Sequence, residues 1–430
     1  MTEPLRVAIA GLGTVGGGTV RLLRQQSELI RRRCGRAIEL VAAAALVRPP
    51  ELEAELAGVR WFDDAVTMAR DATADVVVEL IGGAHGVALR VCETALAHGR
   101  HVVTANKAML AHHGTALAEQ AEERGLSLGF EAAVAGGIPV IKTLREGLAA
   151  NRILEIHGIL NGTCNYILSR MRQEGLEFEA VLADAQRLGY AEADPSFDID
   201  GIDAAHKLAI LASVAFGGPV RLVPDNVEGI RHVTAIDIKY AEQLGYRIKL
   251  LGITRRSGDI LEQRVHPCLV PVGTPIAVVE DVFNAVIIVG DFVDRVVLVG
   301  RGAGAGPTAS AVVADLIDIA AGRHARTFGV PVASLDPIEP LPLSARVGAY
   351  YLRLMVRDEV GVLAAVAGAL AASGVSIAQF FQDRRDPGEK VPVVLTTHDT
   401  DEASMQRALD RIAGLGPVME PPRRIRIEPF

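Results

Sequence analysis

Residues 11–16 read Gly-Leu-Gly-Thr-Val-Gly, between an apolar run, Val-Ala-Ile-Ala (7–10), and a helix-like stretch, 19–26. A strand, a glycine-rich turn and a helix in that order constrain the start of this chain more than any other feature. Gly11 allows a tight turn, Gly13 lets the backbone approach a pyrophosphate, and Gly16 permits close packing of helix on strand. Thr14 and Val15 open the helix, whose free N–H groups and partial positive charge suit phosphates. The context strengthens the motif. Short β-rich runs at 6–10, 38–47, 76–80, 101–104 and 126–129 alternate with helical stretches such as 87–98 and 108–123. Alternating βα units predict a Rossmann-type, doubly wound parallel sheet that binds a dinucleotide.

The end of the second strand bears on which dinucleotide. An acidic residue about 20 positions past the glycines would hold a ribose 2′-hydroxyl. Glu39 has the count but begins the strand, and Arg48 stands where the acid belongs. An arginine suits a 2′-phosphate. The expectation is NADP, with NAD possible.

From about Gly136 the pattern changes to longer strands mixed with helices: 152–160, 246–253, 260–265 and the pair 284–289 with 295–299. This predicts an α+β domain with an antiparallel or mixed sheet. A helix over 308–321 follows a glycine-rich GRGAGAG. A Pro-rich stretch at 331–346 reads as a linker. The last 84 positions, 347–430, carry a βαββα pattern: strand 350–356, helix 362–372, strands 375–382 and 392–397, and helix 402–412.

Composition excludes several classes. Half the 430 residues are hydrophobic, enough for two or three cores, and the net charge is -8. The short cluster at 31–33 is the nearest approach to a basic stripe, so nucleic acid is not an expected partner. The absence of an 18-residue apolar run free of charge or glycine argues against a membrane span. The N-terminus starts almost at once with a strand, and four scattered cysteines fit reduced thiols, so the expected location is cytoplasmic.

Three further segments carry chemistry. Glu192 to Lys207, EADPSFDIDGIDAAHK, crowds carboxylates before an apolar helix on which Asp203 and Lys207 stand one turn apart. Burying that pair is costly unless it is paired or used; a plain surface ion pair is the competing reading. Thr104-Ala-Asn-Lys107 lies past the carboxyl end of a strand, where ligands of open parallel sheets bind. Lys107 would face the ligand there, or simply start a helix capped by Asn106. The small, apolar loop at 131–137 suits either backbone ligation of an ion or a hinge between domains.

Together TANKA, DVVVELIGG, EAAVAGGIPVIKTLREGLAANRI, GILNGTCNYIL and EADPSFDIDGIDAAHK resemble homoserine dehydrogenase, in the bacterial form with a C-terminal regulatory module. The resemblance covers almost the whole chain. It implies reversible NAD(P)-dependent reduction of L-aspartate 4-semialdehyde to L-homoserine, in threonine, methionine and isoleucine biosynthesis. It implies Lys207 as proton donor to the aldehyde oxygen, Lys107 beside cofactor and substrate, and Glu192 and Asp203 on the substrate's amino end and polar groups. Glu131, Val134, Gly136 and Ile138 match the backbone ligands of a monovalent cation, usually sodium. Gly304 matches the glycine nearest the cofactor, next to Thr104 and Lys107.

The implied domains are 1–135 for the cofactor, with helix 307–322 packing back on it, 136–330 for catalysis and dimerisation, and 347–430 as a βαββαβ ACT domain. The last implies a small amino-acid effector, threonine by family habit, and pairing into a homodimer or homotetramer. The family's Asp-x-Pro-Gly turn is Asp358-Glu359-Val360-Gly361 here, which removes a preset φ. Two other readings fit the residues: a dehydrogenase for another small amino-acid carbonyl, and an amino-acid sensor that keeps the nucleotide fold as scaffold.

Overall fold

The computed structural model describes residues 3–382 and 386–430. The first region is a six-stranded, all-parallel sheet. Its strands are β1 (Leu5–Ala10), β2 (Ile38–Ala44), β3 (Arg60–Phe62), β4 (Val76–Glu79), β5 (His101–Thr104) and β6 (Leu128–Gly129), in the order β3-β2-β1-β4-β5-β6. Helices α1 (Thr14–Gln25), α2 (Ser27–Cys34), α3 (Ala65–Asp71), α4 (Val87–Ala97) and α5 (Lys107–Glu123) connect them. Strand β4 is buried along its whole length, as a sheet covered on both faces requires. The strand order reverses between β1 and β4, which opens a crevice at the carboxyl ends of the strands.

The second strand is shorter than its apolar run suggests. It ends at Ala44, leaving Leu46, Val47 and Arg48 exposed. The cause is local: Pro49 and Pro50 follow, and Pro50 opens a 3₁₀ turn that takes the chain off the sheet.

The central region begins with the short α6 (Val140–Lys142) and continues through β7 (Ile153–Ile159), α7 (Gly162–Glu174), α8 (Phe178–Arg187), α9 (Ser196–Ile199), α10 (Ile202–Phe216) and α11 (Ala235–Gln243). Strands β8 (Tyr246–Ser257), β9 (Ile260–Pro271), β10 (Phe283–Gly290) and β11 (Asp294–Arg301) complete an antiparallel array, β11-β10-β7-β8-β9. Helix α12 (Ala305–Ala320) then lies against α1. The two approach so closely that a Cβ on Gly18 would stand 2.6 Å from the Ala305 carbonyl oxygen.

The stretch 331–346 is built into the fold. Its strand β12 (Glu339–Pro340) pairs with β9, and Arg346 at its end is buried. The C-terminal region holds β13 (Val347–Gly348), β14 (Tyr350–Arg357), α13 (Val362–Ala371), β15 (Ile377–Phe381), β16 (Lys390–Thr397), β17 (Thr400–Asp401), α14 (Glu402–Ala413) and β18 (Arg423–Ile427). Its sheet is not separate. β18 pairs in parallel with β9, so β18-β14-β16-β15 extends the central sheet without a break. Ion pairs, most of them buried, line that seam. Arg426 grips both oxygens of Glu228 at 2.8 Å, Arg264 and Arg346 hold Glu428 at 3.0 and 2.7 Å, and Arg353 holds Asp237 at 2.7 Å.

Candidate active site

The site forms where the N-terminus of α10 meets the start of α5. Gly201 enters α10 at φ 85°, and a Cβ there would meet the Val227 and Val265 side chains at 3.2 Å. Only glycine fits without strain. The turn sends Asp203 and Lys207 inward on one face of a helix that is buried nearly all round. Their side chains are 3% and 9% exposed, and Lys207 Nζ donates to Asp203 Oδ2 at 2.7 Å. Lys107, 36% exposed, brings its Nζ to 3.1 Å from Asp203 Oδ1. One buried carboxylate thus bridges two ammonium groups supplied by different domains. Lys207 also donates to the Leu160 carbonyl at 2.7 Å, and Asn161 Nδ2 donates to both Asp203 and Asp198 at 2.8 Å.

The electrostatics follow from this crowding. Burial alone would raise the Asp203 carboxyl, but the Lys207 and Lys107 charges overcome it and hold the group well below the usual range. Burial pushes the Lys207 ammonium down, the Asp203 charge pulls it back, and Lys107 pushes it down again. The Lys107 ammonium moves the other way, raised chiefly by the Asp203 charge. The two lysines are therefore unequal, and the deeper one is the stronger acid.

Lys107 is aimed by the loop before it. Asn106 caps α5 by accepting from the Met109 amide at 3.0 Å and donates to the Gly83 carbonyl at 2.8 Å. Thr104 Oγ1 donates to Glu79 Oε2 at 2.6 Å, and Glu79 Oε1 accepts the amides of Ile81 and Gly82 at 2.7 and 3.0 Å. The carboxyl ends of β4 and β5 are clamped together beneath the lysine.

At the other end of the crevice the glycine turn has the expected form. Gly11 has φ 97°, and a Cβ there would lie 2.6 Å from the Leu80 carbonyl oxygen; one on Gly16 would lie 2.0 Å from the Gly11 carbonyl oxygen. Gly13 has open space where its Cβ would be, and α1 starts at Thr14 and Val15 without a side-chain cap. Free amides facing open space fit a pyrophosphate. Arg48 stands exposed with its guanidinium 5.7 Å from the Trp61 ring centre. Glu39 pairs with Arg6 at the far end of the sheet. Gly304 begins α12 at φ 116°.

The loop 131–138 lies against 301–304: Gly137 donates its amide to the Arg301 carbonyl at 3.0 Å, and a Cβ on Gly136 would meet the Gly302 carbonyl oxygen at 2.5 Å. Ala135 and Gly136 both have positive φ. The Val134 and Gly136 carbonyls accept no hydrogen bond among the described residues, whereas that of Ile138 accepts the Val140 amide. The Glu131 carboxylate accepts the amides of Ile141 and Lys142 at 2.9 and 2.8 Å.

Glu192 is the outlier. Its side chain is exposed and makes no hydrogen bond among the described residues, though its charge reaches Lys107. Sequence reasoning passed over Asn161 and Asp198, which touch the site, and Glu79, which anchors its clamp. The signal for Asn161 was its spacing, since it caps α7 by accepting from the Cys164 amide at 2.8 Å. A cavity of about 820 Å³ between Arg145, Arg152 and Arg256 opens at the opposite end of α10 and contains none of these groups. The charged cluster defines the site better than any enclosed void.

Comparison with known proteins agrees with this geometry. The family model described as homoserine dehydrogenase matches residues 139–317, that of the homoserine dehydrogenase NAD binding domain matches 11–131, and the ACT domain matches 350–416. A homoserine dehydrogenase of Pseudomonas aeruginosa is 47% identical over 99% of both chains, and one of Neisseria gonorrhoeae is 45% identical over 99% of both. The crystal structure of a homoserine dehydrogenase from Thiobacillus denitrificans is 46% identical and superposes with a TM-score of 0.92, covering 99% of this chain and 98% of that one. A hyperthermophilic archaeal homoserine dehydrogenase in complex with NADPH is 27% identical, with a TM-score of 0.63 over 74% of this chain and 97% of that one.

Proposed function

The chain belongs to the homoserine dehydrogenase family, and on that premise we propose how its residues divide the work. The reaction is the reversible, nicotinamide-dependent reduction of L-aspartate 4-semialdehyde to L-homoserine, a step of amino-acid biosynthesis. The cofactor, when bound, supplies the hydride. The Gly11–Gly16 turn, with the amides of Thr14 and Val15, holds its pyrophosphate, and Arg48 meets a 2′-phosphate, which makes NADP the preferred form. Thr104, Lys107 and Gly304 would complete its binding site.

Hydride arrival at an aldehyde carbon builds negative charge on oxygen. Lys207 donates the proton that neutralises it, and Lys107 adds a second ammonium beside the same oxygen. Asp203 holds both lysines in place and keeps the pair charged in a buried site. Glu192 at the rim receives the substrate's α-ammonium. Backbone carbonyls of Glu131, Val134, Gly136 and Ile138 hold a sodium ion that stiffens the loop between the domains; the free carbonyls of Val134 and Gly136 support this. The ACT domain binds threonine as feedback inhibitor, and the enzyme works as a cytoplasmic homodimer or homotetramer.

The observation that carries the reading is the Lys107–Asp203–Lys207 bridge, two ammonium groups on one buried carboxylate. Lys207→Ala is expected to lose most turnover with aspartate semialdehyde while binding NADPH as before. Steady-state rates with both cofactors, alongside a binding titration, check it; a fully active variant refutes the role.

A further inference from the structure

We infer that Asn284, a residue with no assigned part in the reaction, is a positioning residue for the proton donor and acts through the carbonyl of Leu160. This rests on the proposed role of Lys207. Asn284 lies on β10 one position before Ala285, which pairs with Ile159 on β7, so the strand register sets it opposite Leu160. It is 1% exposed. Its Nδ2 donates to the Leu160 carbonyl oxygen at 3.0 Å, and that same oxygen accepts the Lys207 ammonium at 2.7 Å.

A carbonyl oxygen has two lone-pair directions. With the carboxamide on one, Lys207 is confined to the other. A second N–H of the ammonium goes to Asp203, which leaves the third to point at the substrate. Two donors on one acceptor also weaken each other, so Asn284 keeps the Leu160 carbonyl from holding the lysine's proton too tightly. Turning the amide over would set Oδ1 against the Leu160 oxygen, so its orientation is settled by chemistry.

The surroundings keep the carboxamide in one place. A Cβ on Gly302 would stand 2.2 Å from the Asn284 Cγ and Nδ2, and one on Gly162 would stand 3.5 Å from its Oδ1. The amide therefore lies flat against the glycine-rich loop that leads to Gly304. Its Oδ1 is buried without a partner among the described residues, a desolvation cost that a purely structural residue would be expected to avoid. Asn284 thereby ties the loop at 302 to the lysine at the reacting centre.

The test compares Asn284→Leu, Asn284→Asp and Lys207→Ala in the full chain. The expected result for N284L is a kcat lower by roughly tenfold or more, an unchanged KM for NADPH, and a larger solvent deuterium isotope effect, because proton delivery becomes limiting. N284D keeps the volume and serves if N284L does not fold. Its turnover, relative to the parent chain, recovers as pH falls, because only its protonated carboxyl can donate to the Leu160 oxygen. A folded N284L with unchanged kcat and isotope effect overturns the inference, as does an N284D deficit that ignores pH. An active K207A would instead bring down the role of Lys207 itself.

Discussion

Asp203 shows how one residue sets the chemistry of two others. Without its charge, burial and mutual repulsion would push both lysines toward the neutral amine. Asp203→Asn is therefore expected to lower the Lys207 ammonium further below its ordinary value. Reduction needs the ammonium, so its rate falls as pH rises through that value; oxidation needs the free amine and gains over the same interval. The basic limb of kcat for reduction should move to lower pH in D203N, read from rate profiles taken through the neutral and alkaline range. A limb that stays in place would mean that Lys207 is not the group being titrated. Of this arrangement only the Asp203–Lys207 spacing was legible in the chain, because i and i+4 meet on any helix. Lys107 lies too far along the chain for spacing to connect it, and Glu192, so prominent in the motif, ends up exposed at the rim.

At the scale of elements, the first turn separates folding from binding within a few residues. Gly11→Ala meets both a positive φ and the Leu80 carbonyl, and should cost on the order of 1–3 kcal/mol of stability. Gly13→Ala meets neither, since φ is -68° and the space is open. It should fold normally yet weaken NADPH binding by roughly tenfold, equivalent to about 1.4 kcal/mol, by filling the phosphate cradle. Thermal melts and a binding titration on the two variants distinguish the effects; equal melting with equal binding would contradict both assignments. Glu428, just past the seam strand β18, is another such case. Burial would raise the Glu428 carboxyl, but Arg264 and Arg346 hold it down to about 2. Its folded value lies below its unfolded one, so its stabilisation is present above the unfolded value near 4.5 and lost as pH falls through about 2. Glu428→Gln strands buried guanidinium groups and should cost about 3–5 kcal/mol at neutral pH. Denaturant melts should show the gap to the parent chain closing in acid.

Across the whole molecule, the ACT and catalytic regions share one sheet. From Arg426 the connection runs to Glu228, whose neighbour Ile230 donates its amide to the Ile199 carbonyl at 2.8 Å, four residues from Asp203. These contacts form a contiguous path by which strain on β18 would reach the turn before Asp203. The turn at Asp358 is held despite Val360: Asp358 Oδ2 accepts the Asp386 amide at 2.7 Å, and its carbonyl accepts the Gly388 amide at 2.9 Å. Threonine titrated against the rate should inhibit, and Glu228→Gln should keep turnover while blunting that response. An identical inhibition curve in E228Q would show that the signal travels by another route.

Short-range pattern determined much of this protein. The glycine turn, the alternation of strand and helix, the carboxylate-rich approach to α10 and the βαββα order at the end are all written within a few residues of one another. Backbone sterics and periodicity act over just that range. Only the tertiary structure decided which charges share a carboxylate, which carbonyl the proton donor shares with Asn284, and that β9 and β18 fuse two domains into one sheet. Those contacts join residues far apart in the chain, where burial and strand register, rather than spacing, select the partner.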